Sequence, residues 1–239
     1  MKSQILLISV CVLAGAGPTF SQGLSVKSVE LSLSAGGTTY SKKSFTIGAP
    51  QSSTPINGVM QLNSGKAYEA RVNFYNSRRL GSEFLYGYQY SGVSLTRDSP
   101  TPASFNVPLQ IHTLTLNVLY YPLGETSSSW RPFLTIGGGA VIYRPSSGGQ
   151  ASAKDPLQGN FDTFFESSRA SGTVGGGVKH PITKTLGLRA DVGAVFTKVP
   201  SFGLPQSSTQ SNAIVLPVSG LTQSVRASAG LIIYLGKSQ

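Results

Sequence analysis

The chain has 239 residues and a formal net charge of +10 at pH 7, and only 12% of its residues are charged. Water-soluble domains carry roughly 25% charged residues, so this composition argues against an ordinary soluble domain. After residue 22 no apolar run approaches the roughly 20 residues that a membrane helix requires, which excludes a helical membrane protein.

The first 21 residues have the pattern of a secretory signal peptide. A short positive start precedes an apolar run over residues 5–16, and small residues such as Ser21 follow this run. We therefore predict a cleaved signal peptide over residues 1–21, with an uncleaved anchor helix as the alternative, and one mature domain over residues 22–239. The only cysteine, Cys11, lies in the predicted signal, so the mature domain has no disulfide.

Eight segments then alternate apolar and polar residues with a period of two, which is typical of strands between lipid and a polar interior. They cover residues 26–35, 66–76, 82–95, 109–121, 131–143, 169–179, 185–196 and 224–235. The last segment is the clearest, with apolar residues at every second position: Val225, Ala227, Ala229, Leu231, Ile233 and Leu235. In the fifth segment both faces are apolar, and we assign four residues to the lipid side: Leu134, Ile136, Ala140 and Ile142.

The connectors between these segments alternate in length. Short ones cover residues 76–81, 122–130 and 180–184, whereas long ones cover residues 36–65, 96–108, 144–168 and 198–222. Outer-membrane barrels have short periplasmic turns and long external loops, and lipid offers no partner for an open sheet edge. The sequence therefore predicts an all-β fold, an eight-stranded antiparallel up-and-down transmembrane β-barrel in the outer membrane of a Gram-negative bacterium. We expect the long connectors, which are rich in Ser, Pro, Gly, Gln and Asn, to be mobile and solvent-exposed.

Four motifs add a family resemblance to this pattern. They are Tyr120-Tyr121-Pro122-Leu123-Gly124; Arg131-Pro132-Phe133-Leu134, which leads into Gly137-Gly138-Gly139; Gly175-Gly176-Gly177-Val178; and Leu186-Gly187-Leu188-Arg189-Ala190-Asp191. With these motifs the chain resembles, over roughly residues 24–236, the small porin-like outer-membrane β-barrel domain proteins, similar in plan to the OmpA, OmpX and OmpW barrels. The resemblance implies the architecture and says little about activity.

The C-terminal segment is similar to the sorting signal that the barrel-assembly machinery reads. The matching residues are Ser228, Gly230, Ile233 and Leu235. Serine is small for the polar position and the chain continues to Gln239 instead of ending on an aromatic residue, so ordinary strand periodicity is the alternative. We expect the barrel-assembly machinery and periplasmic chaperones to be partners during biogenesis.

Charged residues at interior positions form the main candidate site: Glu30, Glu69, Arg71, Glu83, Arg189, Asp191 and Arg226. Buried charges are stable only when they are paired and hydrogen-bonded, and an eight-stranded lumen is just wide enough for side chains to fill. The pattern therefore predicts a salt-bridge network that plugs the lumen, with a conducting or gated pore as the alternative. Because the first and last strands pair when a barrel closes, we expect Glu30 to approach Arg226.

Aromatic residues near the strand ends are typical of the girdles at the two membrane interfaces. The predicted girdle residues are Phe74, Phe84, Tyr90, Tyr120, Trp130, Phe133, Tyr143 and Phe196. The glycine runs at residues 137–139 and 175–177 lack the following helix that a phosphate loop needs. They indicate backbone curvature and close strand packing instead.

Other classes of site have little support in the sequence. Only His112 and His180 could serve a Ser-His-acid site such as that of lipid A deacylases, and no Ser and Glu stand at a matching spacing. No histidine or carboxylate pair has the spacing of metal ligands. We expect no catalytic residue, cofactor or metal. The basic residues are scattered over turns and loops, which favours contact with lipopolysaccharide and other outer-membrane lipid over nucleic acid.

These predictions favour a non-catalytic monomer with a structural, envelope-integrity role or a surface-interaction role through its long external loops. A narrow porin-like channel for small or apolar solutes is the alternative. A lipid A-modifying enzyme is the third hypothesis.

Overall fold

The computed structural model describes residues 28–41, 43–47, 56–75, 77–97, 103–124, 130–154, 164–205 and 219–235. The strands within these residues are β1 Ser28–Tyr40, β2 Lys43–Ile47, β3 Ile56–Leu62, β4 Gly65–Tyr75, β5 Leu80–Arg97, β6 Ala103–Tyr120, β7 Arg131–Pro145, β8 Ser167–Pro181, β9 Leu186–Lys198 and β10 Leu221–Leu235. The helix α1, Ser147–Lys154, lies between β7 and β8. The predicted signal peptide falls outside the described residues.

Eight of these strands close into an antiparallel ring in the order β1, β4, β5, β6, β7, β8, β9, β10 and back to β1. The prediction of an eight-stranded antiparallel barrel is confirmed. The remaining strands, β2 and β3, form a hairpin that attaches to the ring, because residues 58–62 of β3 pair with residues 93–97 of β5.

No helix in the described part of the chain is long and apolar enough to span a membrane.

The strand register fixes the tilt of the barrel. Following paired residues once around the ring from Val29 returns to β1 at Thr39, ten residues further along. For eight strands with a rise of about 3.3 Å and a spacing of about 4.8 Å, this shift corresponds to a tilt of about 40°. A row of paired residues therefore climbs along the barrel axis as it passes from β1 through β4 towards β7.

The two ends of the barrel differ. The turn end carries Ser28, Leu235 and the connections after β4, β6 and β8. The loop end carries the long connections after β1, β7 and β9, and also the connection after β5, which is short because β5 and β6 extend to residues 97 and 103. Between the ends, outward-facing apolar side chains are unusually exposed, among them Leu33 at 67%, Ile136 at 65% and Leu231 at 56%. Such a continuous apolar exterior is expected of a barrel surface in contact with lipid.

Near the loop end, the apolar face of β6 changes sides. Leu114, Leu116 and Val118 point outward and are exposed, whereas Val107 and Leu109 point inward and are fully buried. A strand in lipid exposes its apolar side chains, and a strand in water buries them. The change therefore marks the boundary between lipid and water on this strand.

The expectation of solvent-exposed connectors is wrong for much of their described part, whereas their mobility stays a prediction. β1 continues to Tyr40, the segment 96–108 is mostly paired strand of β5 and β6, and α1 lies in the segment 144–168. The physical reason is burial, because these segments carry inward apolar residues that pack together. This loop-end cap consists of Met60, Leu62, Val93, Leu95, Val107, Leu109, Ile111, Val141, Tyr143, Ala153, Phe164, Val195, Val199, Phe202 and Leu204.

Two phenylalanines from different connectors hold the cap together. The rings of Phe164 and Phe202 stack with their centroids 4.3 Å apart, and both side chains are buried. Phe202 has a φ of 52°, a left-handed conformation that costs a bulky residue on the order of 1–3 kcal/mol. Packing of its ring in the cap offsets this cost.

Phe164→Ala is expected to loosen the cap and to speed proteolysis of the loop-end segments in lipid vesicles, while the barrel stays folded. Truncating a buried phenylalanine costs about 3–5 kcal/mol, and here the loss falls on the cap. Phe165→Ala is the matched control, because the neighbouring Phe165 is 56% exposed. Equal proteolysis rates for the two variants would contradict this picture of the cap.

Candidate functional site: the charged lumen

Charged side chains from four strands meet in the middle of the lumen: Glu69, Arg71, Glu83, Arg189, Asp191 and Arg226. Arg71 lies at the centre of this network. Its Nη2 donates to Asp191 Oδ1 at 3.0 Å, and it also pairs with Glu69 on its own strand. The Arg71 side chain is only 1% exposed, so these carboxylates replace water as its partners.

The network spans the lumen because the strands between its two halves carry small inward residues. Arg71 is on β4 and Asp191 is on β9, and β1 and β10 lie between them. On these two strands Ser34 Oγ accepts a hydrogen bond from Arg71 Nη1 at 2.8 Å, and Ser228 Oγ donates to Glu69 Oε2 at 2.8 Å. These small hydroxyl side chains thus leave room for Arg71 and also form hydrogen bonds with Arg71 and Glu69.

Arg189 and Arg226 complete the network. Arg189 Nη1 donates to Glu83 Oε2 at 2.5 Å, and Arg189 Nε donates to Asp191 Oδ2 at 2.8 Å. Arg226 Nε lies 2.5 Å from Glu69 Oε1. Because alternate residues of a strand share one face, Arg189 and Asp191 reach the same point of the lumen from one strand.

A second charged level lies nearer the turn end. Lys179 Nζ donates to Glu30 Oε2 at 2.5 Å and to the Tyr121 hydroxyl at 3.0 Å, and the Tyr75 hydroxyl donates to Glu30 Oε1 at 2.6 Å. The Arg131 guanidinium lies over the rings of Tyr75 and Tyr121, 4.5 and 4.3 Å from their centroids. These rings and cations fill the lumen at this level.

Sequence reasoning missed Lys179 and Arg131, and it paired Glu30 wrongly. The prediction that Glu30 approaches Arg226 is wrong, because Glu30 is opposite Tyr234 whereas Arg226 is opposite Thr38. The first and last strands do pair, but Arg226 lies eight residues further towards the loop end. The alternation of the strand could have placed Lys179 in the lumen, because its neighbour Val178 points outward.

The described side chains leave little free space between the charged network and the loop-end cap. Between the charged network and the loop-end cap there is a cavity of about 20 Å³, lined among others by Tyr40, Gln89, Tyr143 and Arg226. A water molecule needs about 10–15 Å³ of such volume, so the cavity has room for one or two waters and not for a continuous column. The Tyr40 hydroxyl donates to Gln89 Oε1 at 3.0 Å and further narrows this space.

The structure places six of the predicted girdle residues on the exposed outer surface: Phe74, Phe84, Tyr90, Tyr120, Trp130 and Phe196. Phe84 lies opposite Val72 on one neighbouring strand and Leu116 on the other, within the apolar exterior that the barrel exposes to lipid. For Phe133 and Tyr143 the girdle prediction is wrong, because both point into the lumen and are 2% and 1% exposed. Both faces of β7 are apolar, and the inner face packs against other lumen rings.

The four residues of the predicted assembly signal lie on both faces of β10. Ser228 and Gly230 face the lumen, and Ile233 and Leu235 are exposed on the outer surface at 44% and 47%. Ser228 also hydrogen-bonds within the charged network. Recognition by the assembly machinery stays a prediction.

His112 lies on the outer face of β6 near the lipid boundary, with Nδ1 2.9 Å from the Tyr86 hydroxyl. Its other aromatic neighbour is Tyr88, with ring centroids 5.4 Å apart. Within the described residues no group of three His, Cys, Asp or Glu side chains could hold a metal ion. His112 is thus a boundary residue among tyrosines.

Solved structures similar to the whole fold include two small outer-membrane proteins. The outer membrane protein OprG from Pseudomonas aeruginosa matches with a TM-score of 0.56 and 13% identity, over 90% of this chain and 99% of that chain. Neisserial surface protein A matches with a TM-score of 0.51 and 12% identity, over 87% and 96% of the two chains. The chain has the fold of a small outer-membrane β-barrel. No protein-family model and no curated protein matches the sequence.

At these identities the similarity concerns the fold alone. An outer-membrane barrel of this size can carry a functional site in its lumen, on its lipid-facing surface or at its loop end. In this chain the lumen holds the charged network, and the outer surface holds the aromatic and boundary residues.

Proposed function

We propose that the protein is a non-catalytic, closed outer-membrane barrel, a monomer that supports the cell envelope and presents a folded surface at its external end. The observation that carries this proposal is the filled lumen. Side chains occupy it at the level of Lys179, at the level of Arg71 and in the loop-end cap, and the cavity between the last two is about 20 Å³. A lumen of this kind supports the barrel wall and carries no solute.

The apolar exterior and the asymmetric connectors support an outer-membrane location, with the loop end outside the cell. The loop-end cap supports a surface role, because it holds the β2–β3 hairpin and α1 in one arrangement. A fixed surface loses less conformational entropy when it binds a partner than mobile loops do.

A narrow channel for apolar solutes is a second candidate, favoured by the apolar lining of the loop-end lumen. For transport, both the cap and the charged network would have to open. The network lies across the middle of the lumen, and its buried ion pairs oppose the passage of an apolar molecule.

Planar-bilayer recordings on the refolded full chain separate the two candidates. The closed barrel predicts no discrete conductance steps for the wild type or for Phe202→Ala, since the charged network still blocks the lumen when the cap is loosened. Discrete steps in the wild type that Arg189→Met alters would contradict the closed barrel and support the channel.

A further inference from the structure

A row of polar and aromatic side chains crosses four neighbouring strands on the outer surface. The register places Lys66, Tyr90, Gln110 and Arg144 next to one another on β4, β5, β6 and β7. Tyr90 is 58% exposed, and Lys66 and Arg144 are exposed as well. Lys66 and Arg144 are three strand spacings apart, roughly 14 Å. We call these four residues the boundary row.

The boundary row lies where the apolar face of β6 changes sides. Along β6, Gln110 follows Leu109, which points inward and is buried, and precedes Leu114, the first outward residue of the apolar lipid-facing band. Because the strands tilt by about 40°, the row rises towards the loop end from Lys66 to Arg144. Lys66 is therefore nearest the acyl chains, and Arg144 lies further out in the headgroup layer.

The residues on the lipid side of the row combine apolar surface with polar atoms. Tyr68, Tyr88 and His112 form the adjacent row of paired outward residues. His112 Nδ1 is engaged by the Tyr86 hydroxyl, but His112 Nε2 is buried without a hydrogen-bond partner among the described residues. Aromatic rings with polar atoms are typical of the interface between acyl chains and headgroups.

On the water side of the row is a cluster of amide and hydroxyl groups. Asn63 Nδ2 donates to Ser94 Oγ at 2.9 Å and to Asn106 Oδ1 at 3.0 Å. Side-chain amides donate and accept hydrogen bonds, which matches the mixed donors and acceptors of sugar hydroxyl groups. The exposed Tyr90 ring lies between this cluster and the lipid.

The boundary row can accept an anion. Arg144 Nε now pairs with Glu166 Oε2 at 2.7 Å, and both side chains are about half exposed, at 54% and 43%. An exposed ion pair contributes little stability, so a phosphate can replace Glu166 at small cost. Arginine binds phosphate in a two-pronged geometry, and lysine binds it as a point charge.

We propose that the outer face of β4–β7 at the boundary row binds a phosphorylated glycolipid of the outer leaflet, namely the lipid A part of lipopolysaccharide. Lys66 and Arg144 bind its phosphates, Tyr90, Gln110 and the Asn63 cluster contact its sugars, and the acyl chains lie along the apolar band. This inference rests on the outer-membrane placement proposed above and names the lipid and the face of the barrel that binds it.

The test is native mass spectrometry of the full chain in mild detergent, titrated with purified lipid A. We expect one tightly bound lipid A, and Lys66→Gln combined with Arg144→Gln should weaken its binding by about tenfold or more. The matched control is Lys184→Gln combined with Lys198→Gln, which removes two exposed lysines away from the row and should leave the affinity unchanged. All four side chains are exposed, and heat-modified electrophoretic mobility verifies that both variants fold.

Two results would overturn the proposal. One is an equal loss of affinity in both double variants, which indicates unspecific attraction by surface charge. The other is binding of a control lipid as tightly as lipid A. Equal binding of dephosphorylated lipid A would show that the phosphates are not recognised, and equal binding of phosphatidylglycerol would show that the sugars are not recognised. Bilayer recordings on the same variants keep the proposals apart: unselective lipid binding by a silent barrel overturns this site alone, whereas conductance steps overturn the closed barrel.

Discussion

Replacing Arg71 with methionine is expected to lower the free energy of unfolding by about 3–5 kcal/mol, because it leaves the buried network with one more carboxylate than it has arginines. Arg71 contacts Glu69, Asp191 and Glu83 within 4.0 Å, and its side chain is 1% exposed. Urea unfolding in lipid vesicles, followed by the fluorescence of the single tryptophan, Trp130, measures the change.

The control for this experiment is Arg79→Met, which removes an arginine from an exposed turn and should change stability by less than about 1 kcal/mol. A double variant that combines Arg71→Met with Asp191→Asn should recover part of the loss, because one uncompensated carboxylate is then neutral. If Arg71→Met and Arg79→Met unfold at the same urea concentration, the network does not stabilise the barrel.

Gly139→Ala is expected to destabilise the barrel by about 3 kcal/mol, the upper end of the usual cost of overpacking. A Cβ at Gly139 would overlap the carbonyl oxygen of Leu114 on the neighbouring strand. A backbone atom cannot move aside as a flexible side chain does, so β6 and β7 would have to separate there. The same urea titration measures the effect.

Gly172→Ala is the matched control for this prediction, because a Cβ at Gly172 meets no atom within 4 Å. We expect its unfolding to match that of the wild type. Equal stability of the two alanine variants would show that the close approach of β6 and β7 is not required.

The strand count and the direction of most side chains could be predicted from the sequence, because a period of two assigns each residue to one face. Where both faces of a strand are apolar, as around Phe133 and Tyr143, the period gives no answer. The register between strands cannot be read from the sequence of a single strand. This register decides which residues lie opposite each other on neighbouring strands and which meet across the lumen. For this reason Glu30 was paired with Arg226 although its partner is Lys179.

The loop-end cap was missed for a related reason. In the loop-end part of β6 the side chains still alternate between the two faces, but the apolar ones, such as Val107 and Leu109, point inward. They do so because that part of the barrel has water outside. When a strand is sought by its outward-facing apolar residues, its end is placed where the apolar residues move to the inner face. The same change of face locates the membrane boundary once the pairing of β5 and β6 is known.

The lipid-facing barrel is tested most directly by a nitroxide scan along β6 in lipid vesicles, with single cysteine variants that each carry a spin label. We expect high oxygen accessibility at Leu114→Cys, Leu116→Cys and Val118→Cys, and low accessibility at Asn117→Cys. At Asn106→Cys, beyond the lipid boundary, we expect access to a water-soluble nickel reagent instead. Water access at Leu116→Cys, or accessibility without a period of two along the strand, would contradict a closed barrel whose outer face lies in lipid.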